Sequence, residues 1–288
     1  MTNLVQFPGL GLEFELNRVA FHIGGISIYW YGVCIAVGLC LALIFAFRHS
    51  IEFGVDPDSM VDVILIGIVL GIVSARAYYV AMAPFKYESV WEMIAILDGG
   101  LAIYGGIIGG AITVLVLSRV KKIPPLVMLD NASMGVIIGQ ICGRWGNFMN
   151  REAHGSVTDS FFKMGLADAA GNITYYHPTF LYESVWNLVG FIGLHFYCKK
   201  RKFDGEVFLL YVAWYGLGRA WIEGLRTDSL YLFSTGIRVS QLVAAVSFVA
   251  AAGAIAFVLL KKKPKPEDLF ANRIHESPDT QDEKPDEM

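Results

Sequence analysis

Seven apolar runs of about twenty residues or more dominate this chain, and they decide what it can fold into. They lie near 28–47, 60–82, 97–118, 126–147, 179–198, 206–225 and 237–260. At 1.5 Å of rise per residue, each is long enough as a helix to cross about 30 Å of hydrocarbon. Lipid offers no partner to backbone N–H and C=O groups, so such runs must satisfy them internally as helices. Composition agrees: of 288 residues, 55% are hydrophobic and 17% charged, too apolar for an ordinary soluble domain. The expected fold is an all-α polytopic membrane protein with seven transmembrane helices in one domain over 1–260. Beyond Leu260 the chain turns rich in Lys, Pro, Asp and Glu, so 261–288 reads as a charged, disordered tail. No basic stretch precedes the first apolar run, so that run reads as a retained helix and not a cleaved signal.

Loop charges set the orientation. Arg48 follows the first run, Arg119, Lys121 and Lys122 the third, Lys199, Lys200, Arg201 and Lys202 the fifth, and Lys261, Lys262, Lys263 and Lys265 the seventh. These sites share one side, which makes the C-terminus cytoplasmic and the N-terminus outside. The longer outer loop, about 148–177, holds the turn Ala170-Gly171-Asn172 before Ile173-Thr174-Tyr175-Tyr176, which predicts a small extracellular cap with β structure between helices 4 and 5. Glycines at Gly105/Gly109, Gly106/Gly110, Gly67/Gly71 and Gly135/Gly139/Gly143 are spaced for close helix packing.

With that orientation, polar residues gather at the outer ends of six helices. They are Tyr31 on helix 1, Arg76 on helix 2, Asp98 and Tyr104 on helix 3, Arg144 and Asn147 on helix 4, His177 and Glu183 at helix 5, and Arg219, Glu223 and Arg226 on helix 6. An Arg inside a membrane helix costs about 2.5–3.5 kcal/mol on insertion scales, so several at one level imply a shared polar cavity. Arg219, Glu223 and Arg226 stand at i, i+4 and i+7 on one helix face, where Glu223 can pair with either Arg. Glu183 is the strongest candidate for purely structural pairing. Snorkelling to headgroups and ion pairing without a ligand are the bland readings of the arginines.

The planar donor fork of Arg suits phosphate. Several Arg with few acids free to neutralise them point to an anionic phospholipid headgroup. The six His are scattered, no HExxH or Asp-rich pair occurs, and no metal or cofactor is expected. The four Cys form no CxxC pair and no GxSxG element is present, so the attacking group is expected from a second substrate. Nothing reads as a nucleic-acid surface. Two other classes stay open: an anion or lipid transporter, which would need polar groups crossing the midplane or repeated broken helices, and a non-catalytic phospholipid-binding protein.

The stretch Gly143-Arg144-Trp145-Gly146-Asn147-Phe148-Met149-Asn150-Arg151-Glu152-Ala153-His154-Gly155 matches G-R-x-G-N-F-x-N-x-E-x-x-G at all eight fixed positions. In this the chain resembles the bacterial prolipoprotein diacylglyceryl transferases. The resemblance covers about 8–260 and includes Trp30-Tyr31-Gly32, Asp98-Gly99-Gly100, His177-Pro178, Leu181-Tyr182-Glu183 and Arg219-x-x-x-Glu223-x-x-Arg226. It implies transfer of the diacylglyceryl group of phosphatidylglycerol to the thiol of a lipobox Cys in a prolipoprotein signal peptide. The products are a thioether and glycerol 1-phosphate, as the first step of lipoprotein maturation at the outer leaflet of the bacterial cell membrane. It further implies that Arg144 and Arg219 bind the phosphate. Asn147, Asn150 and Glu152 position the headgroup, and Tyr31, Glu223, Arg226, Arg76 and His177 complete the site. Gly155 allows a tight backbone turn. One departure concerns the proton acceptor. Many members carry His-Gly-Gly where this chain has Tyr104-Gly105-Gly106, and a phenol with a pKa of about 10 is a poor base. Tyr104 therefore stays in the site without an assigned role, and Glu152 and His154 are the other candidate acceptors.

Overall fold

A computed structural model describes residues 3–85, 87–96, 99–227, 231 and 236–275. Its helices are α1 (Trp30–His49), α2 (Pro57–Met82), α3 (Val90–Ile94), α4 (Ile103–Val120), α5 (Pro125–Asn150), α6 (Thr179–Tyr197), α7 (Glu206–Leu225), α8 (Val239–Phe257) and α9 (Phe270–His275). Its strands are β1 (Leu4–Phe7), β2 (Leu12–Glu15), β3 (Val19–Ile23), β4 (Ile26–Tyr29), β5 (Met164–Ala167) and β6 (Ile173–Tyr176). The seven longer helices fall on the seven apolar runs. Five helical runs are long and apolar enough to cross a membrane by length and composition: Trp30–Phe53, Pro57–Met82, Ile103–Val120, Pro125–Asn150 and Val239–Lys262. The helices α6 and α7 are comparably long but hold buried Glu183, Ser184 and Asn187, and buried Glu206 and Glu223.

Three differences from the sequence reading have a local reason. The start of α2 moves three residues earlier. Asp56 caps it by accepting from Ser59 N at 2.9 Å, with Pro57 in the first turn, the arrangement that best relieves unpaired N–H groups at a helix start. The start of α4 is Ile103, not a position near 97. Gly99 and Gly100 take φ of 88° and 73°, left-handed values that interrupt a right-handed helix. Asp98 lies outside the described residues. The expected loss of structure at 261 does not hold up to His275. A π turn, Val258–Lys262, is followed by a 3-10 turn, Pro266–Asp268, and by α9. Leu269 and Ala271 are buried there, and Phe270 N donates to Asp204 Oδ2 at 3.0 Å. Residues 276–288 lie outside the described residues.

The chain divides into two compact units, 1–44 with 133–202 and 206–264, and 45–132 with 203–205 and 265–288. In the first, β2-β1-β5-β6 form an antiparallel sheet, and β3 and β4 a separate hairpin. The strands β5 and β6 fall in the stretch 148–177 where β structure was expected, and the other half of their sheet, β1 and β2, comes from the N-terminus. These strands qualify the all-α expectation, although the protein remains mostly helical. Under the sheet, Val5, Phe7, Leu16, Phe148, Met164 and Phe180 are buried together. Phe148 stacks on Phe180 with ring centroids 4.4 Å apart, so this core fixes the end of α5 against the start of α6. In the second unit, α2 and α4 pack closely. A Cβ at Gly105 would sit 2.6 Å from Tyr78 Cβ, and one at Gly109 would sit 2.8 Å from Leu70 O, which is why small residues repeat there.

Candidate active site

Phe148 is anchored in the core, and the last turns of α5 around it carry the polar residues. Arg144 Nη1 donates to Asn147 Oδ1 at 3.1 Å. Asn147 Nδ2 and Asn150 Nδ2 both donate to Glu152 Oε1, at 3.1 and 3.2 Å. Glu152 therefore draws two helix positions together from just beyond the helix end. The chain reverses there through Arg151 and Ala153, both at φ 55°. Left-handed backbone costs L-residues roughly 1–2 kcal/mol each, a strain that clusters at functional sites.

Gly155 does not supply the turn expected of it, because the positive φ values belong to Arg151 and Ala153. Its small size serves a close approach instead. Gly155 N donates to His177 O at 2.9 Å, His177 N to Ser156 O at 3.0 Å, and Ser156 N to Leu225 O at 2.7 Å. Gly155 also bridges Arg226. A Cβ at 155 would lie 2.7 Å from His177 Cβ and 2.9 Å from Leu225 O. Gly155→Ala is expected to destabilise the protein by about 1–3 kcal/mol, read as a lower thermal midpoint in detergent. An unchanged midpoint would show that the loop yields without cost.

Glu183 is the centre of the charge network. It is 2% exposed, and its carboxylate lies 2.6 Å from Arg144 Nη2 and 3.0 Å from Arg219 Nη1. Arg219 Nη2 lies 2.6 Å from Glu223 Oε2. Charges thus alternate as Arg144, Glu183, Arg219, Glu223 across α5, α6 and α7. This corrects the expectation of arginines with few acids to neutralise them, since both are ion-paired. It agrees with the structural role foreseen for Glu183. The two carboxylates are buried, whereas the Arg144 and Arg219 side chains stay 20% and 15% exposed. A guanidinium carries five donors, more than these pairs use, so buried acids orient the two forks while part of each faces outward.

Around the network, the Tyr31 ring packs on Gly146, where a Cβ would meet Tyr31 Cδ2 at 2.8 Å. Arg226 N donates to Glu223 O at 3.2 Å. Sequence reasoning missed Tyr215, whose hydroxyl hydrogen-bonds Arg144, and Arg238, which donates to Glu223 O. The i−4 spacing of Tyr215 from Arg219 would have revealed the first. His154 lies over Tyr176 with ring centroids 4.1 Å apart, and its Nδ1 is 3.1 Å from Gly155 O. Arg76 and Tyr104 belong to the second unit. Arg76 is buried, with Nε donating to Met93 O at 2.8 Å, Nη1 to Gly99 O at 2.6 Å and Gly100 O at 3.0 Å, and Nη2 to Glu92 O at 2.6 Å. Main-chain carbonyls thus engage all three of its nitrogens, which ties α2 to Glu92, Met93, Gly99 and Gly100. Tyr104, second residue of α4, is 41% exposed.

His177 Nδ1 lies 3.3 Å from the Tyr182 hydroxyl, and burial pushes its imidazole below the usual histidine range. In the unfolded chain it titrates near 6.5. The unfolded chain therefore takes the proton first as pH falls. The stability from keeping His177 neutral is complete above about 6.5 and is lost as pH falls through the lowered folded value. Relative to His177→Gln, the wild-type thermal midpoint is expected to fall between about pH 7.5 and 5. A pH-independent difference would contradict this.

The fold and site define a class, a helical membrane protein with a fixed arginine–carboxylate network at the end of its helices. Comparison with known proteins narrows it. A family model described as prolipoprotein diacylglyceryl transferase matches residues 18–257. A phosphatidylglycerol–prolipoprotein diacylglyceryl transferase of Enterococcus faecalis is 44% identical over 269 residues, covering 90% of this chain and 95% of the relative. Proteins of the same name from Lysinibacillus sphaericus and Staphylococcus aureus strain Newman are 41% and 42% identical over 263 and 264 residues. Each covers 88% of this chain, with 96% and 94% of the relatives matched. The chain belongs to the prolipoprotein diacylglyceryl transferase family.

Proposed function

We propose that this transferase moves the diacylglyceryl group of phosphatidylglycerol to the thiol of a prolipoprotein lipobox Cys. The single observation that carries the residue assignment is Glu183 gripping Arg144 and Arg219 at 2.6 and 3.0 Å. Such a clamp presents two guanidinium forks, already oriented, to a phosphate. The family membership and the names of the relatives support the substrates. All seven long helices cross the membrane in this reading, with the N-terminus outside, the C-terminus cytoplasmic and the site toward the outer leaflet. The alternation of basic loops supports it.

In the reaction, the Cys sulfur attacks the glyceryl carbon bonded to the phosphate oxygen. A C–S bond forms, the C–O bond breaks, and its electron pair leaves on glycerol 1-phosphate. Arg144 and Arg219 stabilise the charge that grows on that oxygen, which is electrostatic catalysis by preorganised donors. Cationic neighbours also favour the thiolate of a Cys whose reference pKa is about 8.5. Asn147, Asn150 and Glu152 hold the headgroup, with Tyr31, Glu223, Arg226 and His177 around it. The proton of the thiol passes to Glu152 or His154. Tyr104 enters on the resemblance alone, as a group that orients thiol or phosphate. Tyr104→Phe is expected to slow transfer, and an undiminished rate would remove the phenol from the chemistry.

The test is transfer by the purified protein in phosphatidylglycerol vesicles with a lipobox peptide. Thioether and glycerol phosphate are expected in equal amounts. Lipid binding with neither product would leave a phospholipid-binding protein, and anion flux across the vesicle wall without thioether would leave a transporter.

A further inference from the structure

One turn beyond Glu183 on α6, Asn187 is 0% exposed, and neither its Oδ1 nor its Nδ2 has a hydrogen-bond partner among the described residues. Leaving a buried amide unsatisfied costs several kcal/mol in an apolar setting. Folded proteins satisfy such groups, with ordered water where protein atoms do not serve. On α5, Gln140 stands one turn before Arg144. Its Nε2 donates to the Tyr211 hydroxyl at 3.0 Å, and its Oε1 has no partner among the described residues.

The two amides come to one level. The helices α5 and α6 run antiparallel where they meet, since Arg144 pairs with Glu183 and Ser184 Oγ donates to Ile141 O at 3.2 Å. One turn further in along each helix, about 5.4 Å, lie Gln140 and Asn187. The third helix follows suit. Trp186 and Trp214 exchange indole-to-carbonyl bonds at 3.0 and 2.9 Å between α6 and α7, and Tyr215 lies one turn in from Arg219. Three helices thus continue the charge network inward with neutral polar groups.

We propose that Asn187 and Gln140 hold ordered water directly beneath the Arg144–Glu183–Arg219 network, and that this hydrated pocket positions Glu183. A carboxylate offers about four lone-pair sites, more than its two arginine partners fill. Water held by the two amides supplies the remaining donors, which fixes the angle of the carboxylate, and with it the angle of both guanidinium forks. Asn187 and Gln140 are positioning residues: they act on the substrate through Glu183.

The consequence for transfer rests on the proposed function, but the water itself does not, so the test has two arms. A high-resolution map of the wild-type protein in lipid is expected to show water within about 3.2 Å of the Asn187 amide. In the second arm, Asn187→Leu removes the polar atoms at similar volume, and its thermal midpoint is expected to equal or exceed that of the wild type. Its kcat with phosphatidylglycerol vesicles is expected to fall about tenfold through misplaced forks, with KM changed less than about twofold. Asn187→Ser, which can still bind water, is expected to recover most of the rate. A map in which Asn187 bonds only to protein, or wild-type kcat in the leucine variant, would overturn the proposal. Should the leucine variant not fold, the map and the serine variant decide. A wild-type protein that transfers nothing would defeat the functional reading and leave the map to judge the water.

Discussion

Glu183→Ala is expected to destabilise the protein by about 3 kcal/mol, the low end for removing one partner of a buried ion pair. The carboxylate is almost wholly buried and holds guanidiniums from two other helices. Without it, two partly buried cations face each other. The loss stays at the low end because Arg219 keeps Glu223 and Arg144 keeps Asn147. In a chain of this size the thermal midpoint should fall by roughly 6–12 °C. Glu183→Gln keeps the shape and one acceptor oxygen, and should lie between. Transfer should be lost in Glu183→Ala even in the fraction that folds, because the forks lose their common anchor. A midpoint within about a degree of wild type would mean that the network does not tie α5, α6 and α7 together.

Arg219→Ala is expected to lower the rate of transfer by on the order of 10²–10³-fold, the usual cost of removing one donor aimed at developing charge. Arg219→Lys keeps the charge but not the fork that meets Glu183 through Nη1 and Glu223 through Nη2. Lysine is a point charge on a flexible stem, so it should remain well below wild type. Stability must be separated from chemistry, because Arg219→Ala removes a partner from two buried carboxylates. Adding Glu223→Gln to Arg219→Ala should restore part of the thermal midpoint and none of the rate. A double variant that regained its rate would show that Arg219 acts on folding alone.

How far the sequence reaches follows from what each signal depends on. Helix positions depend mainly on apolar length, and α6 and α7 fall within a residue of the expected 179–198 and 206–225. The start of α4 depends on backbone dihedrals at Gly99 and Gly100, which an apolar run does not report. The strands β1 to β4 are four or five residues each, too short for alternation to stand out, and β1 gains its partner β5 from about 160 residues away in the chain. The site was legible where function and spacing coincide, as with Arg144 and Asn147 at i, i+3. It was not legible where a role depends on a tertiary partner. Arg76 looks in sequence like the other arginines, yet it serves carbonyls from 92 to 100. Gly155 reads as a turn glycine, but the close passage of His177 and Leu225 sets its identity. Asn187 passed unnoticed because one amide in an apolar run carries no pattern.

The measurement closest to the central claim is single-turnover transfer from phosphatidylglycerol to a lipobox peptide by Arg144→Ala and Arg219→Ala, with rates corrected for the folded fraction of each. The expected result is a loss of at least about 100-fold in both, in thioether and glycerol phosphate alike. Wild-type rates in folded protein carrying either substitution would contradict the assignment of the Arg144–Glu183–Arg219 clamp as the phosphate site.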